Sequence, residues 1–447
     1  MFKTMANAWK IPDIRKKILF TLFIIVIFRL GSAITVPFLD TSVVVSWMEQ
    51  KAQGGNFLEY LNILTGGALS KATLFSLGVT PTINASIIIQ LLTYALPPLE
   101  RLQQEGEEGR KKLNVISSFV ALGLAAFMGV AYYLTLKNIK GDDGKSAVLY
   151  TAGGEGIFAM FVIIGCFIAG SSLIIWMGNR INERGIGNGI SMILFAGIVA
   201  RLPEEVGRLA GLVIDDPKNY FALVLVYAVI FVAMIVGIVI MNEAERRIPV
   251  QYAKRVVGRK QYGGQSSHLP IKVCMSGVMP IIFAMSFMSL PSTIAMIREP
   301  VKVITEDTGL GEKIYYYFIN FFNMQSIPYA ILYFILIIAF NFFYVSMQYN
   351  PIEIANNLRQ SNGGIPGIRP GKPTSDYIQR VLSKLTLVGA VYLGLIAIFP
   401  IIFLRITKLN VSAMSGTSIL IVVSVAIETV RTLESQMMMR HHKGFLD

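Results

Sequence analysis

Few residues of this chain have the types and spacing that chemistry at a site requires. His268 stands alone, His441 and His442 are neighbours near the C-terminus, and the sequence contains neither HExxH nor GxSxG. GIRPGK at 367–372 has three residues between its glycines, whereas a phosphate-binding loop has four, and Pro373 follows it in place of Ser or Thr. The sequence therefore predicts no catalytic residues, no metal site and no cofactor.

The composition explains why polar chemistry is scarce. Hydrophobic residues make up 54% of the 447 residues and charged residues only 15%, yet the net charge is +13. Disordered chains lack this hydrophobicity, and soluble domains and DNA-binding proteins carry many more charges. The chain is therefore predicted to be a polytopic membrane protein that binds no DNA, with Cys166 and Cys274 as inert buried thiols.

Membrane-spanning helices are predicted from stretches of about 17–25 residues without charge, because a charge at the centre of a bilayer is costly. The sequence contains ten candidate stretches of 16 to 39 residues, of which the first is interrupted by Arg29 alone and the stretch at 314–352 needs only its second part to span. They are residues 18–39, 72–99, 113–136, 156–179, 185–200, 219–242, 273–297, 314–352, 385–404 and 409–427. The predicted fold class is therefore an all-α membrane protein.

The distribution of charge predicts how these spans are oriented. The side that holds both termini carries 26 of the 40 basic residues and a net charge of +14, whereas the opposite loops carry 13 basic residues and a net charge of −1. Cytoplasmic loops of membrane proteins are enriched in Lys and Arg. Both termini are therefore predicted to be cytoplasmic.

Two glycine-rich stretches interrupt the regular pattern of spans. GGALSKATLFSLG at 66–78 is too short and too polar to cross a bilayer, and it predicts a re-entrant half-helix that is buried in protein or lines a cavity. RGIGNGIS at 184–191 precedes the short fifth span. Five spans fall in residues 1–205 and five in residues 206–447, which predicts two halves with a site or pathway between them.

The basic loops at 243–272 and 347–377 have two interpretations. They are either ordinary positive-inside loops or protruding surfaces that dock an acidic partner or ribosomal RNA. Two function classes also remain open. An ion-coupled transporter of a small solute needs ionisable residues near the midplane, and only Arg29 and Glu428 lie inside or at the edge of a predicted span. A passive conduit is therefore favoured over a secondary transporter.

Eight segments along essentially the whole chain resemble the SecY family, the central subunits of bacterial protein-conducting channels. They are TPTINASIIIQLL at 80–92, GEEGRKK at 106–112, ERGIGNGISMILFAGIVA at 183–200, RRIPVQYAKR at 246–255, GGQSSHLPIKV at 263–273, GVMPIIFA at 277–284, PGIRPGKPT at 366–374 and GTSILIVV at 416–423. One departure is Cys274, where this family usually has Asn. The resemblance implies ten transmembrane helices in two pseudo-symmetric five-helix halves around a central hourglass pore, with a re-entrant plug half-helix at 66–78.

The resemblance also assigns four sets of residues to such a channel. An aliphatic ring at the waist of the pore would consist of Ile83, Ile87, Ile190, Leu194, Ile282 and Ile421. The plug would include Gly66, Gly67, Ala68, Leu69, Leu74, Phe75 and Gly78. A lateral gate between helices 81–96 and 273–297 would include Ser86, Gln90, Leu91, Met285 and Leu290. The surface that docks SecA or the ribosome would include Arg246, Arg247, Lys254, Arg255 and Arg369.

The spacing of the ring residues is consistent with this assignment, because Ile83 and Ile87, like Ile190 and Leu194, are four residues apart and share a helix face. The protein would then be a passive channel of the bacterial cytoplasmic membrane. It would move unfolded secretory preproteins across the phospholipid bilayer and release membrane-protein helices sideways into it. SecE and SecG would be its fellow subunits, signal sequences would open it, and SecA or the ribosome would drive it.

Overall fold

The structure, a computed structural model, is dominated by helices. It describes residues 8–52, 61–62, 64–139, 146–150, 153–252, 255–257, 260–262, 266–297, 310–322, 326–407 and 416–441. The helices are α1 (Pro12–Gly31), α2 (Thr41–Ala52), α3 (Thr80–Ala95), α4 (Pro97–Gln104), α5 (Glu107–Asn138), α6 (Gly153–Arg184), α7 (Gly189–Asp215), α8 (Pro217–Glu243), α9 (Met279–Ile297), α10 (Leu310–Phe321), α11 (Ile327–Gln348), α12 (Pro351–Gln360), α13 (Lys372–Thr407) and α14 (Gly416–His441). The strands are β1 (Glu245–Tyr252), β2 (Arg255–Val257), β3 (Lys260–Tyr262), β4 (Ser266–Lys272) and β5 (Gly363–Gly364).

Each of the ten predicted spans overlaps one of these helices. Within the described residues, five helical segments are long and apolar enough to cross a membrane: Glu107–Asn138, Gly153–Arg184, Tyr220–Glu243, Ile327–Gln360 and Lys372–Phe403. Helices α3 and α4 form a sixth candidate that is bent by 101°. The predicted helical membrane protein is confirmed at this level, whereas the arrangement of ten spans in two halves stays a prediction.

Helix α1 is shorter than the predicted span at 18–39, because it ends at Gly31. Arg29, expected in the middle of that span, therefore lies in the last turn, where the partial negative charge of a helix C-terminus favours a cation. Beyond the helix the chain turns back, and an antiparallel bridge joins Thr35 to Thr73. Backbone pairing with a distant segment thus replaces the further helical turns that the sequence predicted.

The segment at 66–78 is a series of turns, so the predicted half-helix is wrong. Three of its glycines and Ala72 have positive φ, a conformation that the interior of a right-handed helix cannot contain. Side chains supply hydrogen bonds in place of a helical ladder. The hydroxyls of Thr73 and Ser76 both donate to the carbonyl oxygen of Ala68, at 3.2 and 3.1 Å. This segment is therefore an irregular loop held by its own polar side chains.

Helix α7 runs without a break past the predicted boundary between residues 205 and 206. The chain leaves helical conformation only at Asp216, and Pro217 begins α8 as a residue that tolerates the first turn of a helix. If the chain divides into two halves, the connection between them therefore lies at Asp216 rather than at the predicted boundary.

Both basic loops contribute to one small antiparallel sheet that was not predicted. Strand β1 pairs with β4 along almost its whole length, so the first loop folds back on itself. The last two residues of β1 also pair with β5, which belongs to the second loop. Ile248 of β1 is buried in a hydrophobic cluster with Leu358 of α12 and Ile378 of α13. The sheet is therefore seated on these two helices rather than free in solvent.

The helices enclose a large central hydrophobic cluster and a second cluster beside the N-terminal helices. Helices α1, α6, α7, α8, α9, α11, α13 and α14 all contribute side chains to the central cluster. The second cluster is built by α2, α5 and α6, with residues of the turn segment at 66–78. That segment contributes to both clusters, and so it lies where the two hydrophobic cores meet.

A buried polar group ties the helices α11 and α13 to the start of α9. Asn341 lies in the middle of α11, and its side-chain oxygen accepts a hydrogen bond from the hydroxyl of Ser276, just before α9. The side-chain nitrogen of Asn341 donates to the carbonyl oxygen of Thr386 on α13 at 2.8 Å. Asn341 and Thr386 are each 2% exposed. Because both polar ends of the amide are satisfied, burial of this amide fixes three segments relative to one another.

We expect Asn341→Leu to destabilise the protein by about 1–3 kcal/mol, because it leaves the buried hydroxyl of Ser276 without its acceptor. The melting temperature of the purified protein in detergent measures this effect. Ser346→Ala on the same helix is the matched control, since the Ser346 hydroxyl is exposed and bonds only the carbonyl of Phe343 within its own helix. Equal melting temperatures for the two variants would show that the amide has no structural role.

Candidate functional site at the centre of the helices

Four of the six predicted ring residues belong to, or pack against, the central cluster. Leu194 of α7 and Ile421 of α14 are members and are 3% and 1% exposed. Ile83 of α3 and Ile190 of α7 are half-buried and pack against the same cluster. The structure thus brings side chains from three helices into one apolar group.

The two remaining ring residues are also buried. Ile87 of α3 is 8% exposed and Ile282 of α9 is 9% exposed. Their placement is consistent with a ring, but the role of all six as a pore constriction stays a prediction. Among the described residues, no group of three His, Cys, Asp or Glu side chains is arranged to hold a metal ion.

The glycine-rich stretch before α7 sets where Ile190 and Leu194 point. Asn188 caps the helix, since its side-chain oxygen accepts hydrogen bonds from the backbone N–H groups of Ile190 and Ser191 at 3.1 and 3.3 Å. Gly189 approaches α6 so closely that an added Cβ would lie 2.0 Å from the carbonyl oxygen of Gly178. The stretch is therefore a tight entry to α7 rather than a nucleotide-binding loop.

Residues 66–78, called here the plug segment, are held between the two hydrophobic clusters. Ala68 and Phe75 are buried in the central cluster, and Leu74 packs against it. Leu69 and Ala72 are buried in the second cluster. The plug segment therefore shares one apolar environment with Leu194 and Ile421, although it has no regular secondary structure.

Helical glycines give the backbone of the plug segment room to approach. An added Cβ at Gly170 of α6 would lie 1.9 Å from the carbonyl oxygen of Leu74, and one at Gly197 of α7 would lie 2.8 Å from the carbonyl oxygen of Leu64. An added Cβ at Gly31 of α1 would lie 2.1 Å from Cε2 of Phe75, a residue of the plug segment. Helices α1, α6 and α7 thus form a cradle that only glycine permits at these positions.

Two side chains outside the plug segment bond its carbonyl oxygens. Arg29 donates through Nη1 to Gly66 at 3.2 Å, and the hydroxyl of Tyr132 donates to Leu69 at 2.7 Å. Sequence reasoning noticed Arg29 as a charge inside a span but gave it no role. It missed Tyr132, because tyrosines within an apolar span, here Tyr132 and Tyr133, offer no distinctive signal. The charge that interrupts the first span is the signal that marks Arg29.

The two helices predicted to form the lateral gate, α3 and α9, are in contact, although α9 also packs against α5. On α3, the Ser86 hydroxyl donates to the carbonyl of Thr82 at 2.9 Å, Gln90 is half-buried and Leu91 is 37% exposed. On α9, Met285 is buried in the central cluster. Leu290 lies within α9 as well. The contact is consistent with a gate, which stays a prediction.

The predicted docking residues are spread over the sheet and the second basic loop. Arg246 and Arg247 are exposed on β1, and Arg247 forms an ion pair with Glu245 at 2.6 Å. Arg255 is the first residue of β2, and Lys254 lies outside the described residues. Arg369 is exposed in the second loop. Arg246, Arg247 and Arg369 are therefore exposed on the two basic loops that meet in the sheet.

Two local features shape this surface. The carbonyl oxygen of Arg369 accepts a hydrogen bond from the hydroxyl of Thr374 at 2.8 Å, which fixes the turn that presents the arginine. An open groove of about 490 Å³ lies between the end of β1, β5 and the following turn, and Arg359 lines it. Burial lowers the pKa of Lys272 at the end of β4, and the charge of Arg431 lowers it further. The ammonium group of Lys272 is therefore less basic than that of an exposed lysine.

Comparison with known proteins assigns the chain to a family. The family model of SecY matches residues 73–430. The protein translocase subunit SecY of Streptomyces coelicolor is 39% identical over 453 residues, and the match covers all of both chains. The subunit of the same name from Thermus thermophilus is 39% identical over 446 residues, covering all of this chain and 98% of its own.

Solved structures share the fold over almost the whole chain. A protein-conducting channel has a TM-score of 0.63 at 18% identity, and a SecY whose plug domain is described as stabilising the closed state of the translocation channel has a TM-score of 0.61 at 18% identity. Canine Sec61 in a ribosome–channel complex has a TM-score of 0.60 at 17% identity. Each match covers 94% of this chain and 92% of the other. Since the family model matches most of the chain and relatives are 39% identical over its full length, the chain belongs to the SecY family, whose members are channel proteins and not enzymes.

Proposed function

We propose that this protein is a passive, gated channel for unfolded polypeptides. It moves secretory chains across the cytoplasmic membrane and releases membrane-protein helices sideways into the lipid. The names of its relatives, protein translocase subunits, support the proposal, as does the likeness of its fold to a protein-conducting channel. The observation that carries it is that the plug segment and the ring residues Leu194 and Ile421 share one hydrophobic cluster.

A shared cluster is what a closed channel of this kind requires. A narrow path lined by aliphatic side chains excludes water and ions because it dewets, and it offers a passing polypeptide no charge to bind. The plug segment adds Ala68 and Phe75 to the same apolar group, so it closes the path beside the ring. Opening the channel then means withdrawing this segment from both clusters.

The polar contacts of the plug segment suit a part that moves. Arg29 and Tyr132 each bond one of its carbonyl oxygens, and the close glycine contacts of α6 and α7 involve its backbone or the residues just before it. A net hydrogen bond contributes only about 0.5–1.5 kcal/mol, since water replaces it when the segment leaves. These contacts therefore define the position of the segment in the closed state, yet they are weak enough to let the segment leave it.

The lateral gate is proposed at the contact between α3 and α9. Transfer of an apolar signal sequence from water to lipid through this contact lowers its free energy. A side opening therefore sorts segments by hydrophobicity without catalysis. The exposed side chain of Leu91 on α3 is in keeping with a surface that meets lipid or a signal sequence. Ser86, Gln90 and Met285 would line the same contact.

The driving partners are proposed to dock on the sheet that the two basic loops form. Exposed arginines suit a carboxylate of SecA or a phosphate of ribosomal RNA, because the guanidinium binds both in a bidentate manner. A ribosome is the partner in the canine complex that shares this fold. This docking side holds both termini and faces the cytoplasm, where the excess of basic residues belongs. SecE and SecG are proposed as the other channel subunits.

A secondary transporter of a small solute is the less well supported function. Of the two ionisable residues that the predicted spans offered, Arg29 bonds the plug segment and Glu428 is exposed. Neither is arranged as a proton relay or as a substrate ligand near the midplane.

We expect Gly170→Ala to raise the ion leak of the closed channel, because its Cβ would overlap the carbonyl oxygen of Leu74 and push the plug segment outward. Overpacking of this kind destabilises the closed state by about 1–3 kcal/mol. Conductance of the reconstituted protein in planar bilayers measures the leak. Gly165→Ala on the same helix is the control, since an added Cβ there meets nothing within 4 Å. Equal conductance in both variants would contradict a closing role for the segment.

Ile421→Asn should wet the aliphatic group and relax the channel's stringency toward defective signal sequences, because a buried amide attracts water where the ring should exclude it. Ile421→Leu keeps the apolar surface and should behave like the parent protein. Export of a preprotein with a weakened signal sequence, measured in cells, separates the two variants. If the Asn variant changes neither this export nor the ion leak, Ile421 does not line the constriction.

Arg369→Glu should slow SecA-driven transport into vesicles by about tenfold or more, the effect of losing roughly 1.4 kcal/mol of docking energy. Lys372→Glu makes the same change of charge within the turn that the Thr374 hydrogen bond closes, and it should have a smaller effect because Lys372 is not one of the proposed docking residues. The amount of each variant in the membrane serves as the folding control. Transport at the parent rate by the Arg369 variant would exclude this residue from docking.

A further inference from the structure

Helix α10 follows the proposed gate helix α9, and the proposed function gives it no task. Its twelve residues cover about 18 Å, too short to cross a bilayer. Within the described residues, it is joined to the rest of the protein through contacts with α9 and through Phe322, which packs against the central cluster. The rings of Phe318 and Phe321 lie 5.1 and 5.4 Å from the ring of Phe322. In the described part of the chain, the helix is therefore attached through Phe322 at its end and through its contacts with α9.

A second side of α10 is apolar and exposed. Ile314, Tyr317, Phe318 and Phe321 follow the i, i+3, i+4, i+7 spacing of a single helix face. They are 68%, 66%, 45% and 43% exposed. A stripe of this size in water would be unfavourable, because each buried apolar side chain of this type contributes about 1.5–3 kcal/mol.

Lys313 and Asn320 occupy a third side of α10, whereas Glu312 lies beside Ile319 and is exposed. Asn320 is exposed about 100° around the helix from Phe321, and Lys313 lies near Asn320 in the same projection. The side that meets the protein, where Tyr315, Ile319 and Phe322 are half-buried, lies opposite. Three sides of one short helix thus face protein, an apolar surrounding and water, as they do in a helix that lies in the plane of a membrane interface.

The neighbouring helix indicates which apolar surrounding this is. Helix α11 belongs to a candidate membrane span and exposes Ile327, Ile331 and Ile335 on one face, each at about 55%. A face of this kind on a membrane-spanning helix meets lipid chains. The exposed stripe of α10 comes just before it in the chain, and its tyrosine and phenylalanine rings are the side chains that membrane interfaces favour.

We propose that α10 lies in the lipid interface on the membrane face opposite to the sheet of basic loops, with Ile314, Tyr317, Phe318 and Phe321 inserted at the boundary between headgroups and acyl chains. Because α10 contacts α9, the end of α9 that is remote from the sheet is anchored to the membrane surface. The lipid contact itself does not depend on the role of α9 as a gate.

Spin labels test this placement in the full chain. Cys166 and Cys274 are the only cysteines, so replacing both with Ser leaves a background for single labels at positions 314, 321 and 320. The protein is reconstituted in vesicles of phosphatidylethanolamine and phosphatidylglycerol. For each label we measure the ratio of its collision rate with oxygen to its collision rate with a water-soluble nickel chelate. Because oxygen concentrates in lipid, we expect this ratio at positions 314 and 321 to exceed the ratio at position 320 by a factor on the order of three or more.

Two results would overturn the proposal. A collision ratio at position 321 equal to that at position 320 would place the stripe in water. Low access to both oxygen and the chelate at 314 and 321 would show that a protein surface, a second copy or another subunit, covers the stripe instead. Exposed positions tolerate the label, and a melting temperature equal to that of the unlabelled background verifies the fold of each variant.

Discussion

An irregular backbone can lie in the apolar centre of a protein only if its polar groups find partners there. The plug segment meets this constraint with side chains instead of a helical ladder. Thr73 and Ser76 bond Ala68 from within the segment, while Arg29 and Tyr132 bond it from α1 and α5. The other helices then fit around the segment, with glycine wherever its backbone comes close. The packing of the plug segment between the two hydrophobic clusters depends on this satisfaction of polar groups.

The same constraint separates two kinds of order in the structure. The amide of Asn341 is enclosed by α9, α11 and α13 and has both of its polar ends paired, so it joins parts that stay together. The backbone of the plug segment is paired through its N–H groups as well as its carbonyl oxygens, as where the N–H of Leu74 donates to the carbonyl oxygen of Ile34 at 2.9 Å. Its hydrophobic side chains are divided between two clusters rather than buried in one. The amide of Asn341 thus joins parts of the frame, whereas the plug segment is proposed to leave its place in that frame when the channel opens.

The sequence predicted the positions of the helices well, because a stretch without charge is both apolar and continuous. It could not predict where such a stretch stops being helical. The end of α1 at Gly31 and the turns at 66–78 depend on pairing between distant backbone groups, as at Thr35 and Thr73, which periodicity does not report. Ile190 and Leu194 were placed on one face by spacing alone. Their burial beside Ile421 depends on how α7 and α14 pack, which only the structure gives.

The two basic loops are joined into one mechanical unit, because β1 of the first loop pairs with β5 of the second. A load applied to either loop is shared through the sheet, and the buried Ile248 transmits it to α12 and to α13, the longest helix of the described chain at 36 residues. Helix α3 makes its main contacts elsewhere, with α4, α5 and α9. A motor that pushes on the sheet would therefore load α12 and α13 through Ile248, and α9 through the six residues that join it to β4. The load would reach α9, one of the two proposed gate helices, more directly than it reaches α3.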